Sequence, residues 1–229
     1  MYREWPYGLD GAVVWTRSAA DEGRVARILP DGCIDLIWSQ GRVMVAGPDT
    51  TARLVSTPAG VEYVAVRFAP GQAPGVLGVP AHELRDRQPD LDDVWPGRGR
   101  RLAEIISASA DRPRALAELV RSELARAANR RDPLAREVAT RLARGERVGD
   151  VARAVGLSPR QLHRRSLDAF GYGPKTLARV LRLQRALRLA RAGTPLADVA
   201  ARTGYADQAH LARDVRALSG TTAVALLTG

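Results

Sequence analysis

The chain has 229 residues but only one cysteine, Cys33. A single cysteine excludes an internal disulfide framework, which agrees with a reducing compartment. No run of about 18 apolar residues occurs, so no segment is predicted to span a membrane. The N-terminus, MYREWPYGLDG, lacks the apolar core of a signal peptide. We therefore expect a soluble, cytoplasmic protein with no membrane contact.

Motifs of the common catalytic and metal sites are also absent. The three histidines, His82, His163 and His210, lie far apart and form neither an HExxH pattern nor a Cys/His cluster, which excludes a recognisable zinc site. Neither a GxSxG nucleophile elbow nor a GxxxxGK[ST] phosphate loop occurs. We therefore predict no catalytic residue, no metal and no cofactor. An enzyme of unrecognised class that uses the N-terminal half stays open as an alternative.

The lone thiol gives little support for redox or alkyl-transfer chemistry. Asp31 and Asp35 stand close to Cys33, and their charges would raise the pKa of the thiol, whereas reactive cysteines have a lowered pKa. We interpret Cys33 as a small buried core residue in a strand, and a redox role stays open.

Positive charge is unevenly distributed. Residues 1–130 contain 17 arginines and 17 acidic residues, so their net charge is zero, whereas residues 131–229 contain 18 basic and 8 acidic residues and carry the whole net charge of +10. A basic surplus confined to one part of a chain is the electrostatic footprint of phosphate binding. The charge therefore predicts that the C-terminal part binds nucleic acid.

The N-terminal part has the pattern of a β-rich domain. Short apolar or alternating runs, broken by Gly, Pro, Asp and Ser, occupy residues 13–16, 24–29, 33–38, 42–47, 52–56 and 61–68. This spacing predicts an antiparallel β-roll or small barrel. Helical periodicity then predicts two flanking helices over 99–110 and 113–128. The fold class is α+β, with a β-rich regulatory domain over 1–130, a linker over 129–132 and an all-α DNA-binding domain over 131–229.

An internal repeat predicts two related helix-turn-helix units. VGDVARAVG (148–156) aligns with LADVAARTG (196–204) at an offset of 48, and the next helices align at an offset of 49, which pairs Leu162 with Leu211. Ser158 begins a capping box before the first of these helices, and Asp207 is the N-cap of the second. A helix over 175–192, roughly 27 Å long, would set the two recognition helices about one DNA turn apart, roughly 34 Å.

Residues 133 to about 224 resemble the DNA-binding domain of the AraC/XylS family of bacterial transcription regulators. The resemblance rests on LSPRQLHRR, PKTLARVLRLQRAL and LADVAARTGYADQAHLARDVRALSG. It implies two helix-turn-helix units joined by a long helix, asymmetric DNA sites, and an N-terminal domain that senses a ligand or dimerises. The segments LPDGCIDLIW, VAGP and VRFAPG are similar to segments of the β-rich sensory domains that precede such DNA-binding domains.

Two residues depart from the family pattern. Ser166 stands where the family usually has a core phenylalanine, and Ala223 where a proline usually follows the final glycine. The first departure predicts looser packing of the first unit, and the second predicts a less secure cap at the end of the second recognition helix.

Candidate DNA-reading side chains lie on the outward faces of the two predicted recognition helices. They are Arg160, Gln161, His163 and Arg164 in the first unit, and Gln208, Ala209, Ala212, Arg213 and Arg216 in the second. Arginine can donate two hydrogen bonds to guanine, whereas alanine can only pack, for instance against a thymine methyl. We therefore expect the first unit to carry more base specificity and the second more positioning. For each arginine, a phosphate contact or a solvated position stays open.

One further histidine, the arginines of the long helix and two aromatic residues are not predicted to contact bases. His210 is predicted to pack or cap within the second unit rather than to read a base. The arginines that step by three along the long helix are interpreted mostly as solvent or DNA-backbone contacts: Arg179, Arg182, Arg185, Arg188 and Arg191. Trp38 and Tyr63 are candidate walls of an apolar ligand pocket, with ordinary core packing as the alternative.

These observations predict a bacterial sequence-specific transcription regulator. Its predicted partners are double-stranded DNA, a small molecule or protein that acts on the N-terminal domain, and RNA polymerase. The alternative is a ligand-binding module with weak or degenerate DNA binding, motivated by Ser166, Ala209, Ala212 and Ala223. Activation or repression, the operator, and a monomeric or homodimeric state stay open.

Overall fold

The computed structural model describes residues 2–18, 24–130 and 132–228, except for the side chain of Arg24. Its strands, in chain order, are β1 Tyr2–Trp5, β2 Val13–Ser18, β3 Arg24–Ile28, β4 Ile34–Ser39, β5 Arg42–Ala46, β6 Arg53–Thr57 and β7 Glu62–Phe68. Five of them form an antiparallel sheet in the order β1-β2-β7-β4-β5, while β3 and β6 pair as a separate two-stranded ribbon. The predicted antiparallel β-rich N-terminal domain is confirmed, and β1 is an additional strand.

Helices cover one face of the five-stranded sheet. They are α1 Ala73–Leu77, α2 Ala81–Leu84, α3 Leu91–Val94, α4 Arg98–Ala108 and α5 Arg112–Arg126, followed by a 3-10 turn at Ala128–Arg130. In β7 the fully buried Val64, Val66 and Phe68 share one core with Ile106 of α4 and Leu116 of α5. Alternate residues of a strand face opposite sides of a sheet, so this apolar row anchors the two longer helices on one side. Residue 131, part of the predicted linker, lies outside the described residues.

The C-terminal part is helical throughout its described length. Its helices are α6 Pro133–Arg144, α7 Val148–Ala154, α8 Pro159–Phe170, α9 Pro174–Arg191, α10 Leu196–Thr203, α11 Gln208–Ser219 and α12 Ala223–Thr228. α7 and α8 form the first helix-turn-helix unit, packed on α6 and the start of α9, and α10 and α11 form the second unit on the rest of α9. The predicted two units and the long connecting helix are confirmed, and α12 is an element that the sequence pattern did not predict.

Local chemistry fixes where the two recognition helices begin and end. At the start of α8 the Ser158 hydroxyl accepts a hydrogen bond from the Gln161 amide (3.3 Å), and the Gln161 side chain accepts one from the Ser158 amide (2.9 Å). At the start of α11 the Asp207 carboxylate accepts a hydrogen bond from the His210 amide (2.6 Å). Gly171 and Gly220, with φ of 83° and 70°, end the two helices in a left-handed conformation that suits glycine. The C-terminal cap of α11 therefore forms without the usual proline.

Candidate nucleic-acid interface

The first recognition helix, α8, presents a polar face at its N-terminal end. Arg160, Gln161, His163 and Arg164 are all exposed, and together with Ser158 and Leu167 they line an open concavity. The opposite stripe is buried in the unit's core. A helix N-terminus already favours anions through its unpaired amides and dipole, and two arginines beside it strengthen that preference. This face can therefore bind phosphate oxygens or the acceptor groups on base edges.

Two of these four side chains also have structural contacts. The Gln161 side-chain oxygen is occupied by the capping box, so its amide nitrogen is the donor left for a ligand. The His163 ring lies over Gly173, where an added Cβ would come within 2.7 Å of the ring. A glycine is thus needed for the ring to lie in its present place.

The second recognition helix, α11, also leaves its predicted face open. All of its five candidate residues are exposed: Gln208, Ala209, Ala212, Arg213 and Arg216. Leu211, Val215 and Leu218 on the other side are each at most 2% exposed. The two alanines give this face fewer donors than α8 has, so the expectation that the second unit contributes less base specificity stays a prediction.

His210 stabilises the start of the second unit from within. Its Nδ1 accepts a hydrogen bond from the Ala206 amide (3.4 Å), and its ring meets the Tyr205 ring edge to face, with the two centroids 5.1 Å apart. These contacts confirm that His210 packs and caps within the unit.

A buried carboxylate lies behind α11, and the sequence interpretation missed it. Asp214 is 6% exposed and accepts hydrogen bonds from the Arg179 Nε, from the Arg182 guanidinium (3.4 Å) and from the Tyr205 hydroxyl (2.9 Å). Burial and the Asp214 charge raise the pKa of Tyr205 above its ordinary value. The Arg182 guanidinium also stacks over the Tyr205 ring at 4.2 Å. A signal was available, because Asp214 follows Leu211 by three residues and so lies within the apolar stripe.

The interpretation of the arginines along α9 as solvent or DNA contacts is therefore wrong for three of them. Arg179 and Arg182 bind the buried carboxylate of Asp214. Arg185 donates to the carbonyl oxygens of Ala143 (2.9 Å) and Thr203 (2.7 Å). Their long side chains join helices of the DNA-binding domain to one another. Arg188 and Arg191, near the end of the helix, are exposed as expected.

The N-terminal domain packs against the C-terminal end of α8. Arg85 donates a hydrogen bond to the carbonyl oxygen of Gly171 (3.1 Å), and His82 Nδ1 lies 3.4 Å from a carboxylate oxygen of Asp168. Gly71 approaches so closely that an added Cβ would lie 2.8 Å from Phe170. These contacts leave the N-terminal end of α8, where the candidate DNA-reading residues lie, exposed.

The same domain also contacts the second unit, through β3, the turn that follows β3 and the residue that precedes β6. The Arg27 guanidinium donates to the carbonyl oxygen of Ser219 (2.6 Å), and the Ala52 amide donates to that of Leu218 (2.7 Å). The Gln184 side chain of α9 donates to the carbonyl oxygen of Pro30 (2.6 Å). One domain thus contacts both recognition helices at their C-terminal ends.

Cys33 differs from its predicted setting. It is partly exposed and lies one residue before β4, in a turn where the Asp31 carboxylate accepts a hydrogen bond from the Cys33 amide (2.8 Å). The predicted strand position is therefore wrong, because the chain is still in the turn before β4 at this residue; the residue as a whole is partly exposed, although its thiol is buried. The effect expected on its chemistry is confirmed: burial, followed by the charges of Asp31 and Asp35, raises the pKa of the thiol well above its ordinary value.

A buried ion pair lies on the face of the sheet opposite the core helices. Asp35 accepts two hydrogen bonds from the Arg67 guanidinium (both 3.2 Å) and one from the Trp15 indole (3.0 Å). Burial raises the pKa of Asp35 to about 6, although the neighbouring Arg67 opposes that shift.

Trp38 and Tyr63 do not lie side by side. Trp38 is directly opposite Val64 in the sheet, so it faces the helix-covered core, where its indole donates to the Ser107 hydroxyl (3.1 Å). Tyr63 precedes Val64 and therefore faces the other side of the sheet, opposite Arg17 of β2. The two side chains cannot form the walls of one pocket.

Neither a metal site nor a membrane-spanning helix is found among the described residues. The described residues contain no group of three or more His, Cys, Asp or Glu side chains arranged to hold a metal ion. No described helix is both long enough and apolar enough to cross a membrane.

Comparison with known families finds matches in both parts of the chain. Residues 151–228 match a family model described as a helix-turn-helix domain, which is of the AraC type. Residues 12–90 match a domain of unknown function, DUF6597. No curated protein matches the chain.

Solved structures of ToxT from Vibrio cholerae are among those similar to this chain. An apo ToxT variant from strain SCE256 is 11% identical, with 96% of this chain and 97% of that chain covered and a TM-score of 0.49. ToxT from strain O395 bound to (E)-4-(8-methylnaphthalen-1-yl)but-3-enoic acid is 10% identical, with coverage of 99% and 98% and a TM-score of 0.49. Wild-type ToxT bound to an unsaturated fatty acid is 12% identical, with 94% of each chain covered and a TM-score of 0.47.

Proposed function

We propose that this chain, whose C-terminal part contains an AraC-type helix-turn-helix domain, regulates transcription by binding specific duplex DNA through both α8 and α11. One observation carries the proposal: both recognition helices keep their polar faces exposed while the N-terminal domain is packed against their far ends. The net charge of +10 in residues 131–229 supports it, because phosphate contacts supply most of the affinity of such proteins.

The side chains of α8 are proposed to provide most of the base discrimination. Arg160 and Arg164 can each donate two hydrogen bonds to the O6 and N7 acceptors of guanine, while His163 and the Gln161 amide can donate one each. All four are exposed at the end of the helix that enters a major groove in helix-turn-helix proteins.

The side chains of α11 are proposed to position the protein more than to discriminate bases. Ala209 and Ala212 can pack against thymine methyl groups, and Gln208 can bind adenine. Arg213 and Arg216 lie on the same exposed side, where either a phosphate or a base edge is within reach of a guanidinium.

The N-terminal domain is proposed to control DNA binding. We place its boundary at residue 130, because its core ends at Ala127 and the first helix-turn-helix core begins at Ala135. Its hydrogen bonds to Gly171 and Ser219, at the ends of both recognition helices, would transmit a change caused by a small molecule or a protein partner. Contact with RNA polymerase is the proposed route to transcription, and the proposed location is the cytoplasm, where bacterial DNA lies. No enzymatic activity forms part of the proposal.

Selection from a random pool tests this function without knowledge of the operator. Full-length protein would be used to enrich a library of 40-base-pair random duplexes through several rounds, followed by sequencing. We expect two short preferred stretches whose centres are about 10 base pairs apart. A pool that stays random after enrichment would contradict the proposal.

A further inference from the structure

In each helix-turn-helix unit an ion pair links the recognition helix to the helix that carries the unit, and the polarity of the pair is reversed between the two units. At the repeat offset of 49, Arg165 of α8 aligns with Asp214 of α11. Arg165 lies 3.3 Å from Asp132 at the start of α6, the helix that carries the first unit. Asp214 instead receives two arginines from α9, the helix that carries the second unit. In the first unit the recognition helix supplies the basic side chain of the pair, and in the second it supplies the acidic one.

The two ion pairs differ in their exposure to solvent. In the first unit the side chains of Arg165 and Asp132 are 46% and 29% exposed, and exposed pairs contribute little. In the second unit the Asp214 side chain is 6% exposed and binds the Tyr205 hydroxyl as well as Arg179 and Arg182. Removing the carboxylate would leave the buried Tyr205 hydroxyl without its acceptor and would release Arg179 and Arg182, whose side chains are 40% and 28% exposed.

This arrangement determines how α11 is rotated. Arg179 and Arg182 are almost one turn apart on α9, so a carboxylate that binds both fixes α11 along α9 as well as around its own axis. Arg213 and Arg216 lie about 100° and 160° around α11 from Asp214, both in the same direction. A rotation of the helix that breaks the Asp214 contacts would therefore move both exposed arginines away from their present direction.

We propose that Asp214 is a positioning residue that holds the face of α11 carrying Arg213 and Arg216 in the orientation needed to contact DNA, while itself remaining out of contact with DNA. The inference rests on the proposed function. The reversed polarity also favours the correct pairing of helices, because α11 placed on α6 would bring Asp214 towards Asp132. A residue on the buried side of α11 thus acts on DNA recognition only through the orientation of the arginines on the exposed side.

The test compares base preferences obtained with full-length variants. The Asp214→Asn variant keeps the size of the side chain but loses its charge, and Asp198→Asn removes the same charge from an exposed position in α10. Arg164→Ala and Arg213→Ala identify which selected bases belong to which unit. We expect Asp214→Asn to lose the preferences of the second unit, to keep those of the first, and to bind the wild-type motif about tenfold more weakly. Asp198→Asn should keep both sets of preferences.

Three further results separate positioning from simple loss of structure. Circular dichroism should show that Asp214→Asn keeps its helices at the assay temperature, affinity for random duplex should stay within about twofold of wild type, and Asp214→Glu should restore the second set of preferences. Unchanged preferences in Asp214→Asn, or loss of the helices in both Asp214 variants, would overturn the positioning role alone. A wild-type protein that selects no motif would overturn the proposed function and this inference with it.

Discussion

Replacing Ser166 with alanine is expected to stabilise the first helix-turn-helix unit. Ser166 is 1% exposed in the middle of α8, and its hydroxyl oxygen has no hydrogen-bond partner among the described residues. A small cavity, lined by Leu162 and Phe170 among others, lies beside it. The serine thus places an unpaired polar group in an apolar core.

The expected size of the effect follows from three contributions. A buried polar group without a partner costs about 1 to 3 kcal/mol. Alanine is better than serine inside a helix by about 0.5 kcal/mol, and the lost packing of one oxygen atom offsets about 0.5 kcal/mol. The last two contributions cancel, so the free energy of unfolding of the Ser166→Ala variant should rise by about 1 to 3 kcal/mol, the unpaired-hydroxyl contribution alone.

Urea denaturation measures this change with two probes. Far-ultraviolet circular dichroism follows all helices, while fluorescence follows the four tryptophans, which lie within residues 1–130. The dichroism midpoint should shift upward by about 0.5 to 1.5 M urea, for a slope of about 2 kcal/mol per M. Ser122→Ala in α5 is the matched control, because that serine is exposed and its hydroxyl already donates to a carbonyl oxygen. A midpoint no higher than that of the control would refute the argument about the buried hydroxyl.

The other predictions concern the domain contact, the buried ion pair and base reading. Gly71→Ala should lower the free energy of unfolding by about 1 to 3 kcal/mol. The φ of Gly71 is +83°, and an added Cβ would lie 2.8 Å from carbon atoms of Ala135 and Phe170. Gly60→Ala is the control for backbone strain alone, because Gly60 has a φ of +76° and open space where a Cβ would lie. Asp35 has a pKa raised from 3.8 to about 6, so its contribution to stability is full below pH 3.8 and is lost as the pH rises through 6. The free energy of unfolding, measured as a function of pH, should no longer fall over this pH range in the Asp35→Asn variant to the extent that Asp35 contributes. Arg164→Ala should weaken binding to the selected duplex by about 1 to 3 kcal/mol and relax one base preference. Arg101→Ala is the control, because it removes an equal charge from the N-terminal domain. Equal losses of affinity for selected and random DNA in Arg164→Ala would exclude base reading by Arg164.

Much of the fold was predictable because its boundaries depend on local chemistry. The capping box at Ser158 and the glycine at 171 mark both ends of α8 without reference to any other part of the chain. Strand β1 was missed because Tyr2–Trp5 is an edge strand whose residues are exposed or half-buried, so it carries no alternation of buried and exposed side chains. α12 was missed because residues 223–228 are too few to show a helical period.

The site was only partly predictable, because some of its contacts join residues that are far apart in the sequence. Outward faces follow from helical period, so the exposure of Arg164 and Arg213 agrees with the sequence reading. The partner of Asp214 could not be found in this way, because Arg179 is 35 residues away and the two meet only when α11 packs on α9. Arginines at every third position of a helix look solvated when no acid is near in sequence.

The ratio between two dissociation constants tests the central claim most directly. Full-length protein would be titrated with the selected duplex and with a random duplex of equal length, at one salt concentration near 150 mM. A regulator that reads bases through both α8 and α11 should bind the selected duplex at least about 1,000-fold more tightly. A ratio near one would contradict base recognition and would favour a ligand-binding protein whose helix-turn-helix units bind DNA only through charge.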